Sequence, residues 1–163
     1  MAFRMEQQLP APDRVRQALT AAGIDTRIQE FPSSTRTAAE AAATVGTSVG
    51  QIVKSLVFLA GDLPVMALVS GINRLDTERL AALSGADIGK ADADAVRQAT
   101  GYSIGGVPPI GFPAAIQTFI DRDLLQYDVV WAAAGTPRHV FPIAPNDLVR
   151  ITGGRVADLK LSG

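Results

Sequence analysis

The sequence predicts an α+β protein built on a mixed, largely antiparallel β-sheet with helices beside it. Segments with the apolar pattern of strands mostly follow one another through short turns, which favours hairpins and therefore antiparallel pairing. Segments with helical spacing of apolar residues cluster in the first two thirds of the chain instead of alternating with every strand. A chain of 163 residues suits one domain with a single core.

Capping and turn residues predict the order of the elements. They are a helix over 13–22, a strand over 24–31, a helix from Thr37 to a stop at Gly46, strands over 52–60 and 65–70, a short helix after Asp76, a helix over 93–100, strands over 116–121, 129–134 and 139–143, a short helix opened by Pro145, and a last segment over 155–159. The strand over 52–60 is apolar at both odd and even positions apart from Lys54 and Ser55, so we expect a central strand buried on both faces.

The N-terminal residues 1–11 are predicted to be a flexible lead-in, and the domain is expected to cover residues 12–163. These first residues contain no apolar signal-peptide core, and no apolar run approaches the roughly 20 residues that cross a bilayer. The sequence therefore predicts a cytoplasmic protein without a membrane partner.

Composition excludes several kinds of site. The chain has no cysteine and one histidine, which rules out thiolate catalysis, cysteine-containing zinc sites and two-histidine metal sites. We expect neither a metal nor a cofactor. The formal net charge of −1 argues against a general DNA-binding protein, although it permits a local basic patch.

Residues 101–111 form a segment that neither helix nor strand explains. Four glycines and two adjacent prolines in eleven residues remove amide donors and weaken any ladder, so a rigid loop is predicted. Such a loop can hold several amide groups towards one ligand. A tight structural connection explains the same composition, and the two interpretations remain open at this stage.

Two side chains are candidates for chemistry. Lys54 lies in an apolar strand, where an ammonium group must either reach water from the strand's end or meet an anion. His139 follows a turn, where an imidazole lines a pocket rim or is partly buried for structural reasons. No P-loop ending occurs in the sequence. The three aspartates that follow are interpreted as turn and cap residues: Asp121, Asp123 and Asp128.

The glycine-rich segment has the pattern Gly-Tyr-x-x-Gly-Gly-x-x-Pro-x-Gly, with Lys54 upstream and Gly135-Thr136-Pro137 downstream. In order and separation these motifs resemble the YbaK/prolyl-tRNA-synthetase-associated domain family, which comprises free-standing aminoacyl-tRNA deacylases. The resemblance spans residues 15–159 approximately. The chain departs from the pattern at Phe112, where many members of the family have a histidine.

The resemblance implies a single α+β domain whose mixed, mostly antiparallel sheet is curled towards a barrel and flanked by helices. It also implies a trans-editing deacylase that hydrolyses the ester of mischarged tRNA, with tRNA-Pro as one carrier and without a protein nucleophile. The expected partners are the acceptor end of aminoacyl-tRNA and an aminoacyl-tRNA synthetase. A non-catalytic module of the same fold that binds aminoacyl-tRNA or a regulatory partner is the alternative.

Site residues follow from the same resemblance. Lys54, Gly105 and Gly106 are the expected catalytic residues, through the ammonium group and the loop amides. The expected substrate-binding residues are Val107, Pro108, Pro109, Gly111, Phe112 and His139. Bulky apolar groups in the loop, namely Val107, Pro108, Ile110 and Phe112, predict a small amino acid as the substrate, with cysteine as the main competitor.

Overall fold

The computed structural model of the protein describes residues 9–162. The first eight residues of the predicted lead-in lie outside this range. The helices are α1 (Ala11–Ala21), α2 (Ala38–Val45), α3 (Thr77–Ser84), α4 (Ala93–Thr100) and α5 (Pro145–Thr152). The strands are β1 (Gln29–Glu30), β2 (Val53–Ala60), β3 (Leu63–Ser70), β4 (Ile88–Lys90), β5 (Gln117–Asp121), β6 (Val130–Ala133), β7 (His139–Ile143) and β8 (Arg155–Ala157). Short 3-10 helices cover Val49–Gln51 and Arg122–Gln126.

The larger sheet has five strands in the order β4-β2-β3-β5-β8. Strand β3 pairs antiparallel with β2 and parallel with β5, and its residues from Val65 to Ser70 are all buried. The central strand buried on both faces is therefore β3. The prediction that assigned this role to residues 52–60 is wrong, because β2 is only partly buried beyond Val53. A cavity described below lies along the side of β2 that faces away from β3.

The smaller sheet has three antiparallel strands in the order β1-β7-β6. A parallel bridge between Ile52 and Trp131 links it to the larger sheet. Four of the six strand pairings are antiparallel, which confirms a mixed and mostly antiparallel arrangement. The predicted curl towards a barrel is not found: the strands form two open sheets, since the contact between β2 and β6 stops after one bridge.

Local signals place the helices where the sequence predicts them. The hydroxyl of Thr37 accepts a hydrogen bond from the Glu40 amide at the start of α2, and Gly46 ends this helix in the left-handed conformation. Asp76 caps α3 in the same way through the amides of residues 78 and 79. Helix α4 ends at Gly101, so the glycine-rich loop begins where a helix stops.

Two strand predictions need correction. The strand expected over residues 24–31 is reduced to Gln29–Glu30, because only these two residues pair with β7. Strand β4 was not predicted, since three residues at a sheet edge give little apolar pattern. Within residues 9–162, no helix has the length and hydropathy to cross a membrane.

Candidate functional site

A cavity of about 360 Å³ lies between the two sheets. Its floor is the first half of β2, and its walls come from β6, β7, the start of α2 and the glycine-rich loop. The lining residues are Thr35, Arg36, Thr37, Ala38, Ala41, Ile52, Val53, Lys54, Ser55, Leu56, Ile104, Gly105, Val107, Trp131, Ala133, Thr136, Pro137, His139 and Val140. Four of the predicted site residues thus meet in one place although they are up to 85 positions apart: Lys54, Gly105, Val107 and His139.

Lys54 supplies the cation of this cavity. It is the second residue of β2, and its ammonium group donates a hydrogen bond to the main-chain carbonyl of Asn73. Burial lowers the pKa of Lys54 below its ordinary value, the nearby Asp121 carboxylate opposes this effect, and the positive charge of Arg74 adds to it. Among residues 9–162, no anion is directly bonded to Lys54, whose partner is a carbonyl, so the ammonium can attract an anionic group of a ligand.

A buried carboxylate holds the carbonyl partner of Lys54 in place. Asp121 is fully buried, and its Oδ2 accepts hydrogen bonds from the Asn73 side chain at 2.8 Å and from the Ser70 amide at 3.0 Å. Its Oδ1 accepts from the Asp123 amide at 3.0 Å, which confirms the prediction that Asp121 is a cap residue. The same carboxylate therefore fixes the end of β3 and the segment that contacts Lys54, a role that the sequence did not indicate.

The glycine-rich loop contributes mainly through close backbone contact. The Gly106 amide donates to the Ser103 carbonyl at 3.0 Å, and the Gly106 carbonyl accepts from the Gly135 amide at 2.9 Å. A Cβ at Gly106 would lie 2.6 Å from the Thr136 Cα, so only glycine fits this position. The amide of Gly106 is consequently engaged and does not face the cavity as the sequence suggested.

Gly105 remains available as a backbone donor. It is exposed at the cavity rim with a φ of 93°, and no hydrogen bond joins its amide to another group in residues 9–162. Among the two predicted catalytic glycines, Gly105 is therefore the one whose N–H can meet a ligand.

His139 lies on the opposite wall, at the start of β7. Its Nδ1 is 2.5 Å from the Thr136 hydroxyl, and its Nε2 is 4.0 Å from a Glu30 carboxylate oxygen. The side chain keeps about 20% of its surface exposed. The imidazole thus lies at the edge of the cavity and is partly buried. This position is compatible both with a residue that lines the pocket rim and with a structural histidine.

The other predicted loop residues lie elsewhere. Pro109, Gly111 and Phe112 line a separate depression of about 240 Å³ beside α5, and Pro108 is buried without lining any of these spaces. The chain turns away from the cavity after Val107, so the structure does not bring these four residues together with Lys54. A role for them in substrate binding stays a prediction.

Sequence reasoning missed several lining residues. Ser55 follows Lys54 directly, and its hydroxyl is buried without a hydrogen-bond partner in the described part of the chain. Trp131 and Thr136 come from segments that carry only strand and turn signals. Ser55 alone had a signal, as a polar residue inside an apolar run. No group of three or more potential metal ligands occurs within residues 9–162.

Comparison with known proteins places this geometry in a family. Residues 32–151 match the model of the aminoacyl-tRNA editing domain, and this range contains the glycine-rich loop and every residue that lines the cavity. The chain belongs to the aminoacyl-tRNA editing domain family. The resemblance inferred from Lys54 and the glycine pattern is thereby confirmed, and the family acts on aminoacyl-tRNA.

Individual relatives agree with this assignment. A crystal structure described as that of a candidate trans-editing enzyme for prolyl-tRNA synthetase superposes with a TM-score of 0.91 at 47% identity, covering 94% of this chain and 99% of that chain. EbsC of Enterococcus faecalis, named as a candidate Cys-tRNA(Pro)/Cys-tRNA(Cys) deacylase, is 29% identical over 120 residues, which are 72% of this chain and 73% of EbsC. The proline–tRNA ligase of Streptococcus sanguinis is 34% identical over 88 residues, 53% of this chain but only 14% of the ligase.

Proposed function

We propose that the protein is an aminoacyl-tRNA deacylase that removes a small amino acid from mischarged tRNA, with tRNA-Pro as one carrier. In this reaction water attacks the ester carbonyl carbon, the bond to the ribose oxygen breaks, and a proton passes to that oxygen. The products are the free amino acid and a tRNA with both terminal ribose hydroxyls restored. The observation that carries the proposal is that Lys54, the free Gly105 amide and His139 surround one cavity.

The chemistry needs little from the protein because an aminoacyl ester is already reactive. Negative charge develops on the carbonyl oxygen as water adds, and donors aimed at that oxygen accelerate the reaction. The Lys54 ammonium and the Gly105 N–H are two donors that line the cavity and suit this role. One such donor is worth about 3 kcal/mol in measured cases from other enzymes, so two can supply a large part of the rate enhancement.

The amino-acid side chain would lie against the apolar wall of the cavity. Ala38, Ala41, Val107 and Trp131 form this wall. Of the four loop residues that suggested exclusion by size, Val107 alone lines the cavity. Exclusion by size therefore depends on the apolar wall as a whole. An apolar pocket separates two substrates by only about 1–3 kcal/mol per methylene, which is enough to spare a larger residue that does not fit.

The test is a deacylation assay on one tRNA charged in turn with alanine, cysteine, serine, proline and leucine. We expect the highest kcat/KM for alanine or cysteine and a fall of at least about tenfold for leucine. Rates that do not vary across the series, or that are highest for leucine, would contradict exclusion by size. Binding without turnover of any of the five would support the non-catalytic module instead.

Two variants link the activity to the cavity. Lys54→Met keeps the apolar stem of the side chain and removes the charge, so kcat should fall by about 100-fold, as for loss of one oxyanion donor. Arg155→Ala removes a positive charge from exposed strand β8, whose residues do not line the cavity, and should leave kcat unchanged. Full activity in the Lys54→Met variant would refute the assigned role of Lys54.

A further inference from the structure

The register of the larger sheet determines which backbone groups of β2 face away from β3. Leu59 lies opposite Pro64, and a pair that contains proline cannot be a hydrogen-bonded pair of an antiparallel ladder. The Ser70 amide, opposite Val53, likewise turns away from β2 and donates to Asp121. Because hydrogen-bonded and non-hydrogen-bonded pairs alternate, the backbone N–H and C=O groups of Ser55 and Val57 also point away from β3.

On that outer side, β2 is covered only at its two ends. Strand β4 pairs with residues 58–60, and the bridge to Trp131 lies at Ile52. Between these points, no hydrogen bond joins the Ser55 backbone or the Val57 N–H to another residue in the range 9–162. The buried Ser55 hydroxyl lacks a partner there as well. The result is a short open edge with alternating acceptors and donors, about 7 Å long between Ser55 and Val57.

A second compartment of about 240 Å³ lies along this open edge. It shares Ser55, Leu56, Ile104, Gly105 and Val107 with the main cavity, so one ligand can occupy both spaces. Apart from the backbone edge, its lining is mostly apolar and includes Val57, Phe58, Ala91 and Val96. Lys90 lies at the same compartment, is exposed, and forms no ion pair with any carboxylate in the described chain.

We propose that this compartment binds the terminal adenine of the tRNA through the open edge of β2. The Val57 N–H donates to adenine N1, and the Ser55 carbonyl accepts from the exocyclic N6 amine. The apolar side chains of the compartment cover the faces of the ring, and Lys90 is available to a phosphate of the acceptor end. The proposal rests on the proposed function and adds the part of the substrate that the main cavity does not take.

The geometry favours a base over an extended peptide. Strand addition needs a run of free backbone groups along an edge, but here two outward-facing residues are enclosed at both ends. A purine presents a neighbouring acceptor and donor within one ring edge, which matches one carbonyl and one amide two residues apart.

The test compares tRNA that ends in adenosine with tRNA that ends in purine riboside, which lacks the N6 amine. We expect kcat/KM of the wild-type protein to fall about tenfold or more on purine riboside, because the Ser55 carbonyl loses its donor. Val57→Pro removes one outward N–H without touching the ladder to β3, and should lose activity on adenosine. Val57→Ala is the matched variant: it keeps the amide and should still prefer adenosine to purine riboside, although trimming a side chain that lines the compartment lowers its kcat/KM on both tRNAs.

Each outcome separates this proposal from the proposed function. Equal wild-type rates on the two tRNAs would overturn the adenine site and leave the deacylase intact, even if Val57→Pro fails to fold. If neither tRNA is hydrolysed, the deacylase proposal fails, and base binding is decided by the amide NMR signals of Ser55 and Val57. These signals should shift with adenosine 5′-monophosphate and much less with purine riboside 5′-monophosphate, and unchanged signals with both would refute the site.

Discussion

Lys54 owes its setting to its own strand and to two groups that are distant in sequence. Strand β2 places the ammonium in the cavity, the Asn73 carbonyl accepts its hydrogen bond, and buried Asp121 orders the segment that carries this carbonyl. The sequence singled out Lys54 because a lysine in an apolar strand is unusual. It gave Asp121 only the role of a cap, since burial of a carboxylate depends on packing that a local pattern does not contain.

The lowered pKa of Lys54 predicts a pH dependence of stability. The pKa of Lys54 in the folded state is lower than the ordinary 10.5 of the unfolded chain. At a pH between the folded and the unfolded pKa, the unfolded chain therefore binds more protons than the folded one. The free energy of unfolding of the wild type should therefore rise with pH across that alkaline window, relative to Lys54→Met. Burial raises the pKa of Tyr102, which also titrates at alkaline pH, but this contribution is common to both proteins and cancels in the difference.

Urea unfolding of both proteins at several pH values from 7 to 10.5 measures this difference. The free energy of unfolding of Lys54→Met minus that of the wild type should decrease as the pH approaches 10.5, whatever the sign and size of this difference at neutral pH. A difference that stays constant over this range would show that the folded and unfolded chains hold the Lys54 proton equally well.

At the scale of elements, the glycine-rich loop packs directly against the turn that precedes β7. Gly106 exchanges hydrogen bonds with Ser103 on one side and Gly135 on the other, and its lack of a side chain permits direct contact with the backbone of Thr136. The loop and the turn before β7 therefore hold each other beside the cavity. The interpretation as a structural connection applies to Gly106, whereas Gly105 lines the cavity and its role as a ligand-binding amide stays a prediction.

Gly106→Ala should consequently destabilise the fold as well as reduce the activity. The added methyl would overlap backbone atoms at 2.6–2.7 Å, which cannot yield as a flexible side chain does, so we expect a loss above the typical 1 kcal/mol or so for a point mutation. Gly89→Ala is the control, because its Cβ would meet only the Leu59 carbonyl at 3.9 Å. Thermal unfolding of both variants checks this, and a wild-type midpoint for Gly106→Ala would contradict the contact.

At the scale of the whole molecule, two open sheets meet at one bridge and leave a cavity where their ladders separate. The formal net charge is −1, yet Arg36, Lys54 and Lys90 all line the cavity or its second compartment. A nucleic acid would therefore meet a local cluster of positive charge on a nearly neutral protein. This arrangement suits contact with a short single-stranded end better than with a long duplex.

The affinity for tRNA should accordingly depend weakly on salt. Two phosphate contacts with a single-stranded end, by Arg36 and Lys90, predict a log-log slope of about −1.4 between 50 and 200 mM salt. Arg36→Ala should reduce the slope by about 0.7, whereas Arg155→Ala should leave it unchanged. Equilibrium binding of uncharged tRNA measures these slopes, and affinity that is independent of salt would show that the cluster contacts no phosphate.

The sequence by itself determined the features that depend on neighbouring residues. The Thr37 and Asp76 caps, the glycine stops at 46 and 101, and the start of α5 at Pro145 all lie where local patterns predicted them. These signals are local because capping and left-handed turns involve residues within one helical turn. The motif around Lys54 and the glycines was likewise sufficient to indicate the family.

Tertiary structure alone decided which of these residues face the cavity. Val107 lines it and Phe112, five positions later, does not, because the loop passes over the edge of β2 and then turns towards α5. The Gly106 carbonyl accepts its hydrogen bond from the amide of Gly135, 29 positions away. The open edge at Ser55 and Val57 follows from the register between β2 and β3 and from the short reach of β4, which are properties of strand pairing that no single segment encodes.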